Sequence, residues 1–546
     1  MKSAVIAAVL ALVAVTPPLG AQTTAPATTA TLQPEGQART STSLAIEDAV
    51  QRALERNLDI AVERLNPRTF DLSLAGLYAT YRPTLTSTVG YRDATAFTRS
   101  QTAGADVLTT ATLTANSGLL QNFQWGGGSL TLAFNNNRQN QSDRFATRNP
   151  TLNSGLTATL VQPLLRGFRT DSTRTQLRVT RLNQGISESQ LKATIANTLA
   201  SVRNAYWDLV YTVQAVEVAQ RSFDLALRLV QDNRTRVEIG TLAPIDVVQA
   251  EAEAATRRQT LVQAQANRRT AELTLKRLIV SGTEDELWRA ELNPVDRPSF
   301  ALPEIDIDAA VRRALSVRTD VEQAKQQLEV NALNVRLLRD QTLPGVDLTA
   351  SYGVSGIGGP VFVRSGLGGA VTEIIPSGYS DTLRTLRNLD APTWNLSLSV
   401  NYPIGTSAAD ANLARGRVQV QQAQAQIKQM ELQIATEVTN IASTLISNQE
   451  RVQAARAARE LAEKRLEAEN SKFEVGMSTN YFVVQAQRDL ADAQITELRA
   501  LLDYNKSLVD FDRVQQTALS RANITVVSSG GSGGGGTTST RTGGGF

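Results

Sequence analysis

The chain has 546 residues, with 55 Lys and Arg against 52 Asp and Glu, a net charge of +3, and neither cysteine nor histidine. Without cysteine there is no disulfide framework, thiolate metal site, cysteine nucleophile or lipid anchor on a cysteine. Without histidine the commonest general base and metal ligand are missing, and no catalytic residue, metal or cofactor is expected. The basic residues are spread along the chain, not gathered in a block, so no nucleic-acid partner is expected.

Residues 1–21 read as a signal peptide. Lys2 supplies the positive start, Ala4 to Val15 the apolar core, and Pro17, Pro18 and Gly20-Ala21 a cleavage region. That core is too short to span a bilayer, and no later segment approaches a continuous apolar run of about 18 residues. Any membrane crossing must therefore use β-strands. Residues 22–43, rich in Thr, Ala, Pro and Gln, are expected as a flexible linker.

An internal duplication then dominates, with a first repeat over 44–295 and a second over 303–521. Ile46-Glu47-Asp48-Ala49-Val50-Gln51-Arg52-Ala53-Leu54 matches Ile307-Asp308-Ala309-Ala310-Val311-Arg312-Arg313-Ala314-Leu315. At the same offset Asp59 matches Asp320, Pro83 matches Pro344 and Tyr91 matches Tyr352. Later, Gly240 with Val247-Val248-Gln249-Ala250 matches Gly476 with Val483-Val484-Gln485-Ala486.

In the first repeat the pattern predicts a helix over about 45–82, broken near Asn66-Pro67. Pro83 stops it, and Leu85, Val89 and Tyr91 then alternate with threonines, the signature of a half-apolar strand. An insert at about 99–150 follows. Inside it, after Trp125-Gly126-Gly127-Gly128, Leu130, Leu132 and Phe134 alternate again, so it reads as an extra hairpin or as an ordered extracellular loop. The glycine run lacks the Lys-Ser/Thr of a phosphate loop. Leu156, Ala158 and Leu160 form the next alternating strand. A long helix over about 171–238 contains no proline, and its Leu191, Ile195, Leu199, Val202, Tyr206 and Leu209 make one apolar stripe. At 1.5 Å per residue it would be roughly 100 Å long. Gly240 and Pro244 mark its stop and the start of a returning helix over about 244–281.

The second repeat follows the same plan. Val346, Leu348, Ala350 and Tyr352 alternate with Asp347, Thr349 and Ser351. A Gly-rich insert over about 355–390 has no assigned element. Trp394, Leu396, Leu398 and Val400 form the clearest strand. Helices over about 407–474 and 479–520 close the repeat, and a Gly/Ser/Thr-rich disordered tail is expected over 522–546.

A soluble sandwich would also alternate. Here, however, the polar faces are Thr, Ser and Asn, and the apolar faces carry Tyr and Trp near strand ends, as in a lipid-facing barrel with aromatic girdles. Four to six strands per chain cannot form an open sheet in lipid, because the edges carry unpaired backbone groups. Several copies must pool their strands, and cyclic symmetry is the natural closure. The expected fold class is thus an α+β membrane protein. It has two repeats of long helical hairpins plus a strand pair, with an oligomeric β-barrel continued by a periplasmic α-helical barrel.

Across nearly all of 44–521 the chain resembles the TolC-like outer-membrane efflux family. The resemblance rests on Ala53-Leu54-Glu55-Arg56-Asn57, on Pro83 and Pro344, and on the tips Val237-Glu238-Ile239-Gly240 and Phe473-Glu474-Val475-Gly476. It implies a homotrimer with a twelve-stranded barrel, four strands per subunit, in outer-membrane lipid. It also implies a periplasmic adaptor and an inner-membrane pump, so that the chain would be a passive exit duct of a tripartite efflux or type I secretion system.

The resemblance points to Gly240, Leu242 and Asp246 in the first tip, and Gly476, Met477, Phe482 and Gln485 in the second, as the adaptor-facing constriction. The two glycines also read simply as helix C-caps. Some family members carry two aspartates where this chain has Phe482 and Gln485. A ring of Phe and Gln would not attract cations as an aspartate ring does. The alternative function is an exported coiled-coil protein bridging envelope layers, which accounts for the helices but not for the repeated amphipathic strands.

Overall fold

The structure is a computed structural model and describes residues 41–97, 106–301, 305–366, 369–405 and 407–516. The expected signal peptide, most of the linker and the tail lie outside the described residues. The last linker residues do not stay free. Ser41–Leu44 form strand β1, which pairs in parallel with β6 (Glu291–Pro294).

In chain order the first half contains α1 (Ile46–Arg56), α2 (Leu58–Glu63), α3 (Asn66–Ala79), β2 (Thr84–Phe97), β3 (Val107–Asn122), β4 (Ser129–Gln141), β5 (Thr151–Pro163), α4 (Ser172–Glu238), α5 (Pro244–Ile279), α6 (Glu286–Arg289) and β6. The second half contains α7 (Ile307–Val317), α8 (Thr319–Gln341), β7 (Gly345–Gly358), β8 (Val361–Arg364), β9 (Val371–Ile375), α9 (Tyr379–Asn388), β10 (Pro392–Asn401), α10 (Ala408–Glu474) and α11 (Asn480–Val514). The opening helix is broken near Asn66-Pro67 as expected, where α2 ends at Glu63 and α3 begins with Pro67 in its first turn, and it is broken once more, earlier, at Asn57. Asn57 ends α1 with an extended backbone and caps α2, accepting from the Ile60 N–H at 3.1 Å. Its amide also donates to the Leu278 carbonyl at 2.9 Å, so a tertiary contact fixes the break.

The long helices have clear local causes. Asp171 caps α4 through the Arg174 N–H, and Ser407 with Asp410 forms a capping box on α10. Both helices are 67 residues long, about 100 Å at 1.5 Å per residue. The apolar stripe of α4 is buried as its spacing predicts: Leu191, Ile195, Leu199, Val202, Tyr206 and Leu209 form one core with α1, α5, β1 and β6. The counterpart on α10, with Ile434 and Val438, packs against Ala310, Ala314 and Val321 of α7 and α8. A close crossing of α10 on α8 needs Gly416, where a Cβ would lie 2.8 Å from Leu338.

Six strands form one antiparallel sheet in the order β10-β7-β5-β4-β3-β2. The sheet thus has six strands, because the 99–150 insert forms the hairpin of β3 and β4. Register makes the two faces explicit. Leu85, Leu119, Leu132, Ala158, Tyr352 and Trp394 lie side by side, one from each strand, on one face. The neighbouring row on the other face is Thr84, Leu120, Thr131, Thr159, Ser351 and Asn395. The apolar row is covered by no other element among the described residues, and Leu85, Tyr352 and Trp394 are among its exposed large side chains. Beyond Val354 this face turns small. A Cβ on Gly356 or Gly358 would collide with Thr382 and Gly378, where α9 lies across the sheet. No helix among the described residues is long and apolar enough to cross a membrane.

Candidate functional site

The two helical hairpins of the chain, α4–α5 and α10–α11, end in turns of the same design. After α4, Ile239 is the C-cap and Gly240 follows at φ +78°. The Gly240 N–H donates to the Val237 carbonyl at 3.0 Å and the Thr241 N–H to the Arg236 carbonyl at 2.9 Å. After α10, Val475 is the C-cap and Gly476 has the same φ of +78°. The Gly476 N–H donates to the Phe473 carbonyl at 3.2 Å and the Met477 N–H to the Lys472 carbonyl at 2.8 Å. This pair of bonds satisfies carbonyls left over at the helix end, and the left-handed residue it needs is glycine at no steric cost. Both glycines thus complete the C-terminal caps, each as the left-handed residue just after the cap. Pro244 opens α5 in its first turn, where its missing N–H costs nothing.

The remaining sequence-identified residues divide by exposure. Leu242 and Asp246 are half-buried. Met477 and Phe482 project into solvent, 76% and 51% exposed, with Phe482 edge-on to Tyr481 at 5.6 Å between ring centres. Ile239, Ile245, Val248 and Val475 are exposed beside them, so the tips are apolar surfaces at the end of an otherwise polar hairpin. Gln485 is turned along its own helix and donates to Asp489 at 2.7 Å. Asp489 in turn accepts from Arg465 of α10 at 2.8 Å.

Three contacts join the hairpins behind these surfaces, and sequence reasoning found none of them. Asn233 of α4 and Asn480 of α11, 0% and 2% exposed, are bonded through their amides at 3.1 Å. Both also reach the Asp246 carbonyl of α5, at 3.4 and 3.5 Å. Arg236 of α4 stacks over the Phe473 ring of α10 at 4.4 Å and donates to the Phe473 carbonyl. Glu253 of α5, 4% exposed, accepts from Arg257 at 2.7 Å and from Arg488 Nε of α11 at 3.0 Å. Burial alone would raise the Glu253 pKa. The hydrogen bonds from Arg488 and Arg257, with their charges, outweigh it and hold the carboxyl below its ordinary value. A small apolar cluster of Ala226, Leu229, Val230, Ala250, Phe473 and Val483 fills the space between. Asp246 therefore contributes its backbone carbonyl to this junction, whereas the two glycines, Met477 and Phe482 lie outside it. A signal was present for one of these residues: Asn233 interrupts the apolar stripe of α4 after Leu229 and Val230.

Comparison with known proteins places this architecture. The family model described as "Outer membrane efflux protein" matches residues 129–280 and 310–514, well over half of the chain. The outer membrane efflux protein BepC of Brucella suis biovar 1 (strain 1330) is 24% identical over 342 residues, covering 62% of this chain and 67% of that protein. Among solved structures, the Campylobacter jejuni CmeC outer membrane channel superposes with a TM-score of 0.62 at 15% identity, covering 86% of this chain and 85% of that one. The open state of the Neisseria gonorrhoeae MtrE outer membrane channel gives a TM-score of 0.57 at 17% identity, with coverages of 86% and 88%. The shared fold is the sheet continued by long helical hairpins, and the match of the family model extends through both hairpins. The chain belongs to the outer membrane efflux protein family and is an outer-membrane transport protein, not an enzyme.

Proposed function

We propose that the chain is one subunit of a passive, homotrimeric exit duct. Its sheet would close with those of its copies into a transmembrane barrel, and its helical hairpins would form a periplasmic tunnel. The tunnel would meet a periplasmic adaptor and, through it, an inner-membrane pump of a tripartite efflux or type I secretion system. Transport energy would come from the pump.

The observation that carries this reading is the sheet itself. One face carries an apolar row across all six strands, and both edge strands, β2 and β10, lack a partner on their outer side among the described residues. In lipid, unpaired strand edges are too costly to persist, so β10 of one subunit must pair with β2 of the next. The two run antiparallel in such a ring, since β2 leads away from the helices and β10 returns to them. Along β7 the apolar positions run from Val346 to Val354, about 27 Å of strand at 3.4 Å per residue, or roughly 21 Å of height at a strand tilt of about 40°. An outward apolar band is ~25 Å tall in barrels of this kind. The equal lengths of α4 and α10, and the identical turns at Gly240 and Gly476, support two repeats contributing equivalent staves to one tunnel.

The test is reconstitution of the full chain, purified from outer membrane, into planar bilayers, with native mass spectrometry of the same sample. Heat-modifiable trimers with discrete conductance steps are expected. Oligomers that never conduct, or a chain absent from the outer membrane, would overturn the duct and favour a coiled-coil bridge between envelope layers. Crosslinking in cells from Leu242 and Met477 is expected to capture a periplasmic adaptor.

A further inference from the structure

We propose that the β3–β4 hairpin is part of the transmembrane wall, so that each subunit contributes six wall strands and a trimer closes an eighteen-stranded barrel. This rests on the barrel reading above and concerns its calibre. Barrel diameter grows roughly linearly with strand number, so the bore would be about one and a half times that built from four strands per subunit.

The hairpin sits inside the sheet, not on its edge. β3 pairs with β2 from Phe97–Val107 to Thr84–Leu120, and β4 pairs with β5 from Ser129–Val161 to Gln139–Thr151. Removing it would bring β2 beside β5 with their directions unchanged, because two strands were added together. The chain can therefore absorb the insert without altering closure between β10 and β2.

Near the helical end of the sheet the faces of the hairpin continue those of the other strands, whereas farther out Asn136, Arg138 and Asn140 stand on the same side as Leu132. Leu119 and Leu132 stand in the apolar row between Leu85 and Ala158. On the opposite face Asn116 and Asn135 lie between Thr88 and Gly155. A loop packed above a membrane would have no reason to keep the lipid-facing row unbroken.

The turn that joins β3 to β4 is anchored at the helical end of the sheet. Gln162 of β5 donates to the Gly126 carbonyl at 2.8 Å, and Phe123 N–H to the Gly128 carbonyl at 2.8 Å. Gly126 and Gly127 adopt φ of +66° and +68°, and a Cβ on Gly127 would lie 2.6 Å from the Gly167 carbonyl. Trp125, 72% exposed, lies in this turn, where an aromatic side chain meets the inner membrane–water boundary. Apart from Leu120, the polar face of the hairpin is made of Thr, Asn, Gln and small residues, with no ionised group, from Thr110 to Asn122 and from Ser129 to Gln141. The added wall widens the bore without adding a ring of charge. That suits bulky cargo that is not sorted by charge in the membrane section.

The chain has no cysteine, so single spin labels can be placed in an otherwise native protein in vesicles. Labels at Leu119→Cys and Leu132→Cys are expected to be relaxed by oxygen, which concentrates in lipid. Labels at Thr131→Cys and Asn135→Cys are expected to be relaxed by a water-soluble nickel chelate. Leu398→Cys and Ser397→Cys on β10 are the reference pair. Alternation on β10 with all four hairpin labels in water overturns the proposal and leaves the barrel reading intact. Loss of alternation on β10 as well overturns both. Cryo-electron microscopy of the unlabelled protein in nanodiscs gives the second readout: six wall strands per subunit support the proposal, and four overturn it.

Discussion

Glu253 and Arg488 tie the two hairpins of one chain together near their tips: Arg488 Nε donates to the Glu253 carboxylate at 3.0 Å across 235 residues of sequence. The carboxylate is buried and shared with Arg257, while Arg488 remains half-exposed. Any outward movement of one hairpin past the other must break this bond and the Asn233–Asn480 pair beside it. The tip thus has a polar latch behind an apolar surface.

Glu253→Gln removes the charge and leaves two guanidinium groups facing a neutral amide. A loss of about 1.5–3 kcal/mol in local stability is expected, the usual range for a hydrogen bond to a charged group. It should appear as faster backbone hydrogen exchange in α5 and α11 near the tips, with exchange in the α4 core around Leu199 unchanged. Equal exchange in both proteins would show that the latch does not hold the tip.

The same pair sets a pH dependence. The folded-state pKa of Glu253 lies below its ordinary value of 4.5. Its contribution is therefore fully present above that value and is lost as the pH falls below it through the folded pKa. Spin labels at Glu238→Cys and Glu474→Cys are expected to report a narrow distance distribution at neutral pH and a broad one on acidification. In the Glu253→Gln background the distribution should be broad throughout.

Gly240→Ala and Gly476→Ala test the turns. Nothing lies within 4 Å of a Cβ at either position, so only the backbone conformation opposes the change. Placing an ordinary L-residue at this positive φ costs roughly 1–2 kcal/mol, and asparagine tolerates it better. Hydrogen exchange at each tip should rise for alanine and return most of the way for asparagine. Equal effects of the two substitutions would mean that the glycines act through space, not through φ.

The helices were legible because their signals are local. The proline-free runs, with Gly240 and Gly476 at their ends, place α4 and α10 within a residue of their observed bounds. β3 was not legible, since Leu108 and Leu120 fall on the polar face while Thr109 and Ser117 fall on the apolar one. Its faces are set by neighbours already in register, not by its own period. The short α9 was hidden for a related reason: its place depends on Gly356 and Gly358, which leave room for it on β7. The pairing of the latch residues was invisible because each partner lies more than 200 positions away, although Asn233 marks itself by interrupting the apolar stripe of α4.

Lys276 and Glu272 form a buried ion pair at 2.6 Å below β6. Glu272 also accepts from the Leu292 N–H at 3.2 Å, and Lys276 donates to the Trp288 and Ala290 carbonyls. Lys276→Met leaves an unpaired buried carboxylate, and a loss of about 3–5 kcal/mol is expected. Adding Glu272→Leu should recover part of it, because no charge then remains, although the Leu292 N–H loses its acceptor. Thermal unfolding of the three proteins, followed by circular dichroism, measures the difference. A double variant no more stable than Lys276→Met alone would show that the backbone bonds to β6, not the charges, dominate.

Phe482 bears on the proposed constriction. It stands on the exposed side of α11, with Tyr481 against it and Met477 nearby on the turn, and it makes no part of the latch. In a ring of subunits such side chains would narrow the tunnel by volume and by excluding water, not by charge. Phe482→Ala is therefore expected to raise single-channel conductance while leaving exchange at Asn233 and Glu253 unchanged. Phe482→Asp should raise conductance at low divalent-cation concentration and introduce a block as the concentration rises, since a ring of carboxylates attracts cations. An unchanged conductance in Phe482→Ala would remove this residue from the constriction. A rise accompanied by faster exchange at Glu253 would instead mean that the substitution had released the latch.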